Sequence, residues 1–178
     1  MLFVRFLFSC LLISFHCQCA ITTFVNITVD DQFGDPSTHS QISYMPPDAW
    51  SIAPNCSHCP DNLSLFPAKA YNRTWHDGAV RPGTVRSASL QFYGKLHVFD
   101  VILHSHPHFR KCSMIFFIDG VRMGSYSSEL NSAQDQWMYD VVVFQNTSLA
   151  MTKHQLLIQS GQENGPDTII LLDYIMYS

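Results

Sequence analysis

Four consecutive residues, Trp75-His76-Asp77-Gly78, bring an indole, an imidazole and a carboxylate together. An indole face stacks on the apolar side of a sugar ring, and His76 and Asp77 could hydrogen-bond its hydroxyls. The loop Trp75, His76, Asp77 is therefore the candidate ligand-binding site. A competing reading makes Trp75 a plug at one end of the fold and gives the turn to Gly78, because large aromatics are mostly buried. Trp50, after Pro46-Pro47-Asp48, and Trp137, opening a strand, pose the same choice.

Three other clusters could do chemistry. Asp30, Asp31 and Asp35 lie around Gly34, and calcium takes six to eight oxygen ligands, so this is the start of a calcium site or else a solvated acidic turn. Cys56-Ser57-His58-Cys59 lacks a second Cys/His pair at zinc spacing, and a local disulfide, Cys56 to Cys59, is the preferred reading. That would leave Cys112 as a small buried hydrophobe, with a link to the 56/59 loop as the alternative. His104 and His106 would share one face of an extended segment and could grip a transition metal, but Pro107 interrupts pairing and the patch His104–His108 reads as a polar loop. No Gly-x-Ser-x-Gly or His-Glu-x-x-His motif occurs. Carboxyl pairs such as Asp77 and Asp173 are not selected by any spacing a glycosidase would require. The chain reads as a non-enzyme, with no cofactor beyond the possible structural calcium.

The compartment is written at the start of the chain. Arg5 precedes an apolar run from Phe6 to Phe15 and then the small residues Cys17, Cys19 and Ala20, the order of a secretory signal peptide over 1–20. Glycosylation sequons begin at Asn26, Asn55, Asn62, Asn72 and Asn146. A secreted, extracellular glycoprotein is expected, with 21–178 as one domain. A net charge of −4 with no Lys/Arg cluster beyond Arg110-Lys111 argues against nucleic acid. After the leader, no apolar run is long enough to span a bilayer.

Strands must position these groups. Hydrophobic residues make up 47% of the 178-residue chain, aromatics 13%, and there are just two glutamates, Glu129 and Glu163, too few for the wet faces of many helices. Residues 24–29, 41–44, 88–92, 96–103, 113–118, 136–144, 154–159 and 168–177 read as strands. Residues 31–84 are rich in Pro and Gly and read as long connections carrying one or two short strands, 41–44 among them. Asp119-Gly120, between two β-rich runs, is the strongest hairpin turn. Eight or nine strands without a confident helix predict an all-β sandwich or jelly roll.

The string Ile27-Thr28-Val29-Asp30-Asp31, Trp75-His76-Asp77-Gly78, Leu90-Gln91-Phe92-Tyr93-Gly94, Phe116-Phe117-Ile118-Asp119-Gly120, His154-Gln155-Leu156-Leu157-Ile158 and Leu171-Leu172-Asp173-Tyr174-Ile175 spans nearly the whole mature chain. It resembles the secreted or membrane-anchored ectodomains of basidiomycete fungi with a galactose-binding-like jelly roll, a largely uncharacterised group. The resemblance implies a jelly-roll β-sandwich of the galactose-binding-like kind and a non-catalytic carbohydrate-binding role, for instance toward a cell-wall glycan. It also implies a structural calcium held by carboxylates from near both chain ends, which adds Asp173 to Asp30, Asp31 and Asp35. Asp173 shares strand parity with Ile169, Leu171 and Ile175, so it should be partly buried with a specific partner. Many relatives continue into a stalk and a transmembrane helix, whereas the sequence here stops at Ser178, which puts membrane anchorage in doubt and leaves truncation open. The alternatives to glycan binding are an extracellular protein-interaction domain and the ectodomain of a membrane-anchored protein.

Overall fold

A computed structural model describes residues 25–53, 69–103, 111–129, 138–162 and 165–178. The leader, Asn55, Asn62, the Cys56/Cys59 pair, the His104–His108 patch and Trp137 lie outside the described residues. Eleven strands are described: β1 Ile27–Asp30, β2 Ser43–Met45, β3 Ser51–Ala53, β4 Trp75–Val80, β5 Arg86–Tyr93, β6 Leu96–Leu103, β7 Lys111–Ile118, β8 Val121–Glu129, β9 Met138–Val142, β10 Lys153–Ser160 and β11 Thr168–Tyr177. Two short 3-10 turns, Pro47–Ala49 and Tyr71–Arg73, join them. One sheet runs β3-β4-β11-β6-β9, with β1 also pairing β11; the other runs β2-β5-β10-β7-β8. All pairings are antiparallel. The protein is an all-β sandwich of the jelly-roll type.

The alternation read from the sequence is what builds the interior. In β5, β7 and β10 every second residue is buried: Ala88, Leu90 and Phe92; Cys112, Met114, Phe116 and Ile118; Leu156 and Ile158. They meet Val29, Leu96, Ile170, Leu172 and Ile175 in one core cluster. Each fully buried large aliphatic or aromatic side chain contributes roughly 1.5–3 kcal/mol. Cys112 is one of these core residues, with a free thiol that burial pushes up to about 12. Asp119 (φ 52°) and Gly120 (φ 78°) both take the left-handed conformation that a type I′ hairpin requires, so β7 and β8 pair as expected. Among the described residues no helix is long and apolar enough to cross a membrane.

The 31–84 region carries more strand than expected. The short strand expected over 41–44 overlaps β2, but the region also supplies β3 and the six-residue β4, and the Trp75-His76-Asp77-Gly78 segment is strand rather than loop. Gly78 is there because Trp50 lies on it: a Cβ at position 78 would come within 2.7 Å of the Trp50 ring. Trp50 is itself buried and anchored by its Nε1–H donating to the Met45 carbonyl at 3.3 Å. Gly78→Ala is therefore expected to displace the indole and cost about 1–3 kcal/mol. Urea unfolding at fixed pH measures this, and an unchanged midpoint would contradict the packing described.

Candidate functional site

The expected binding residues do not form an exposed platform. β4 is hydrogen-bonded along both edges, to β3 and β11, its residues are buried on both faces, and Trp75 is 1% exposed. The Trp75 indole offers no face to a sugar, which corrects the loop-aromatic expectation for Trp75, His76 and Asp77. His76 stacks flat on Tyr44, with ring centroids 3.8 Å apart, and its Nδ1 meets the Asp31 carboxylate at 2.6 Å. Thr74 Oγ1 donates to the other Asp31 oxygen at 2.7 Å, and Tyr44 OH donates to the Asp31 carbonyl at 2.9 Å. Burial raises the Asp31 carboxyl above its ordinary range, against the pull of the His76 and Thr74 hydrogen bonds. Asp77 is buried as well, and desolvation lifts it to about 6. This group knits β2 to β4 and is structural in character.

The acidic residues are likewise spoken for by protein donors. Asp30 accepts from the Gln32 and Phe33 amides and from Asn72 Nδ2. Asp35 accepts from the Ser37 and Thr38 amides, Thr38 Oγ1 and Tyr177 OH. Burial pushes the Asp35 carboxyl up, yet the Tyr177, Thr38 and Ser37 hydrogen bonds outweigh it and hold it below the usual range. Asp173 is 2% exposed and takes the Tyr71 amide on both oxygens, the buried, partnered position expected from its parity. Among the described residues no group of three His, Cys, Asp or Glu is arranged to hold a metal ion. The donor set does not fit the calcium expected from Asp30, Asp31, Asp35 and Asp173, because hydrogen-bond donors occupy the oxygens a cation would need.

What the structure does present is the outer face of the five-stranded sheet. Many of the residues alternating with its core positions are neutral and hydrogen-bonding: Ser87, Ser89 and Gln91 on β5, Gln155 and Gln159 on β10, Ser113 on β7, Ser125 and Ser127 on β8, with Lys153, Lys111 and Arg122 on the same face. Cross-strand register places Ser43, Ser89, Leu157, Phe117 and Arg122 in one row, and Met45, Ser87, Gln159, Ile115 and Ser125 in the next. Leu157, Phe117 and Ile115 are half-buried, giving the middle of the face an apolar floor. Two clefts open on it. The larger, about 310 Å³, is lined by Ser40, Gln41, Ser43, Ser89, Leu90, Gln91 and Gln155. The smaller, about 120 Å³, is lined by Lys111, Ser113, Ile115, Ser127, Gln159 and Thr168, with Gly161, Gln162, Gly165 and Pro166. Among the described residues no carboxylate lines either cleft. In the sequence this face shows only as period-two Ser and Gln positions on single strands, the ordinary mark of a solvated sheet face.

The larger cleft is pinned at one end. Asp119 Oδ1 accepts the Gln155 amide at 2.8 Å and its own amide donates to the Gln155 carbonyl at 2.9 Å, so the hairpin tip clips onto β10. Asp119 Oδ2 meets His154 Nδ1 at 2.7 Å, while His154 Nε2 faces the Ala150 carbonyl at 3.0 Å. Acceptors at both ring nitrogens favour the doubly protonated imidazole. The Asp119 hydrogen bond raises His154 above its ordinary pKa, and the same contact lowers Asp119.

The described sequons stand away from this face. Asn26 precedes β1, Asn72 sits in the Tyr71–Arg73 turn beside Asp30, and Asn146 bridges to Leu96 of β6. All three neighbour strands of the six-stranded sheet.

No protein-family model and no curated protein matches the chain. Several solved structures are similar at low identity. TmCBM61 in complex with β-1,4-galactotriose is 11% identical, with a TM-score of 0.43 over 78% of this chain and 87% of that one. The exo-β-1,3-galactanase of Phanerochaete chrysosporium is 10% identical at a TM-score of 0.45, over 84% of this chain and 28% of that one. A cycloisomaltooligosaccharide glucanotransferase from Paenibacillus sp. is 10% identical at a TM-score of 0.45, over 83% and 17%. The chain thus spans less than a third of either enzyme.

Proposed function

We propose that the protein is a secreted, non-catalytic binding module for neutral carbohydrate, and that the outer face of the five-stranded sheet is its binding surface. The observation that carries this reading is the make-up of that face: serine hydroxyls and glutamine amides around an apolar floor, with no carboxylate among the described residues that line either cleft. Hydroxyls and amides both donate and accept, which matches a ligand bearing many hydroxyls, and the apolar floor suits the C–H side of a sugar ring. Attachment of glycans at Asn26, Asn72 and Asn146 would leave this face open. The leader expected over 1–20 and the sequons support export.

Depletion of the purified protein by insoluble chitin, β-glucan and cellulose tests the proposal. Retention on at least one is expected, lost in a Gln155→Ala/Gln159→Ala double variant that melts like the parent. Failure to bind any neutral polysaccharide, or retention unchanged in the double variant, would overturn it.

A further inference from the structure

We infer that the two clefts are the ends of one continuous strip, and that the ligand is an internal stretch of an extended oligosaccharide rather than a single sugar or a chain end; this rests on the carbohydrate reading above. Gln155 lines the larger cleft and Gln159 the smaller. Both project outward from β10, the middle strand of the sheet, and four residues of strand separate them by about 13 Å. One pyranose ring cannot reach both amides.

Between them lies Leu157, whose register partners are Ser89 on β5 and Phe117 on β7. The strip therefore reads amide, apolar floor, amide along a single strand. A chain lying on it would set ring faces on Leu157 and Phe117 and offer hydroxyls to the glutamines at either end. The side-chain amides of Gln155 and Gln159 make no hydrogen bond with the described residues, so their donors and acceptors are available to a ligand. Each end differs in what surrounds it. The larger cleft is neutral throughout, whereas Lys111 borders the smaller. The Asp119 clip holds the Gln155 backbone in place, so the strip is ordered before a ligand arrives, which limits the entropy lost on binding.

Calorimetric titration of the full chain with gluco-, galacto- and chito-oligosaccharide ladders, from monosaccharide to hexasaccharide, tests the strip. Affinity is expected to climb with chain length and then level off once both clefts are filled. Gln155→Ala and Gln159→Ala should each weaken the longest ligand about tenfold and flatten the length dependence, with unchanged thermal midpoints. A monosaccharide bound as tightly as the hexasaccharide would overturn the strip and leave the carbohydrate reading standing. Length dependence indifferent to both glutamines would also overturn it. Binding to no member of any ladder, together with no retention on polysaccharide, would remove the carbohydrate reading itself.

Discussion

Replacing Trp75 with alanine is expected to destabilise the fold by about 3–5 kcal/mol, the range for truncating a buried aromatic in a packed core. The indole is 1% exposed and belongs to the same cluster as Leu171, Ile169 and Trp50. Its removal leaves a cavity beside a strand that is hydrogen-bonded on both sides, to β3 and β11, and neither neighbour can collapse into the space without breaking register. A sugar platform would behave differently: the variant would keep its unfolding midpoint and lose its ligand. Urea denaturation of parent and variant separates the two outcomes. An unchanged midpoint would contradict the buried position.

Stability should also be greatest in mildly acidic solution. Asp77 titrates near 3.8 in the unfolded chain and is lifted to about 6 in the folded one, because burial penalises its charged form. Between those values the native protein holds a proton that the unfolded chain has released, so stability falls as pH rises through that interval, by on the order of 2–3 kcal/mol. Asp31, also raised by burial, acts in the same direction. His154 extends the decline. Its folded pKa lies above the ordinary 6.5, so the stabilisation it draws from Asp119 is complete below that value and is lost as pH rises through the folded pKa. Asp35 and Asp119 are lowered, and their contribution disappears as pH drops below the ordinary carboxylate range. The melting temperature should therefore be higher near pH 4.5 than near pH 7.5. Asp77→Asn should raise it at pH 7.5 and flatten the lower part of the profile. A melting temperature that rises steadily from pH 4.5 to 7.5 would contradict this assignment.

The sequence was most legible where one face of a strand is apolar. β5, β7, β10 and β11 alternate or run apolar over eight to ten residues, and the Asp119-Gly120 turn has a single favoured geometry, so these elements could be read directly. β4 was not legible because its polarity misleads. His76 looks like a surface residue until Asp31 and Tyr44 arrive from distant parts of the chain to hydrogen-bond to it and stack on it. The same holds for Asp30 and Asp35, whose local amides and distant Asn72 and Tyr177 turn an apparent cation site into a set of capped turns. The candidate binding face escaped notice for the opposite reason. Ser89, Gln155 and Gln159 are unremarkable singly, and register alone brings them together around Leu157. Long-range pairing decides both cases, and local sequence pattern does not encode it.

The most direct test of where the ligand sits is an amide chemical-shift map of the folded chain during titration with the tightest-binding neutral oligosaccharide. The largest changes should fall on the outward residues of β5, β10 and β7, centred on Ser89, Leu157 and Phe117, with Trp75–Gly78 unmoved. Changes concentrated at Trp75–Gly78, or on the β1 and β11 side of the sandwich, would contradict the account.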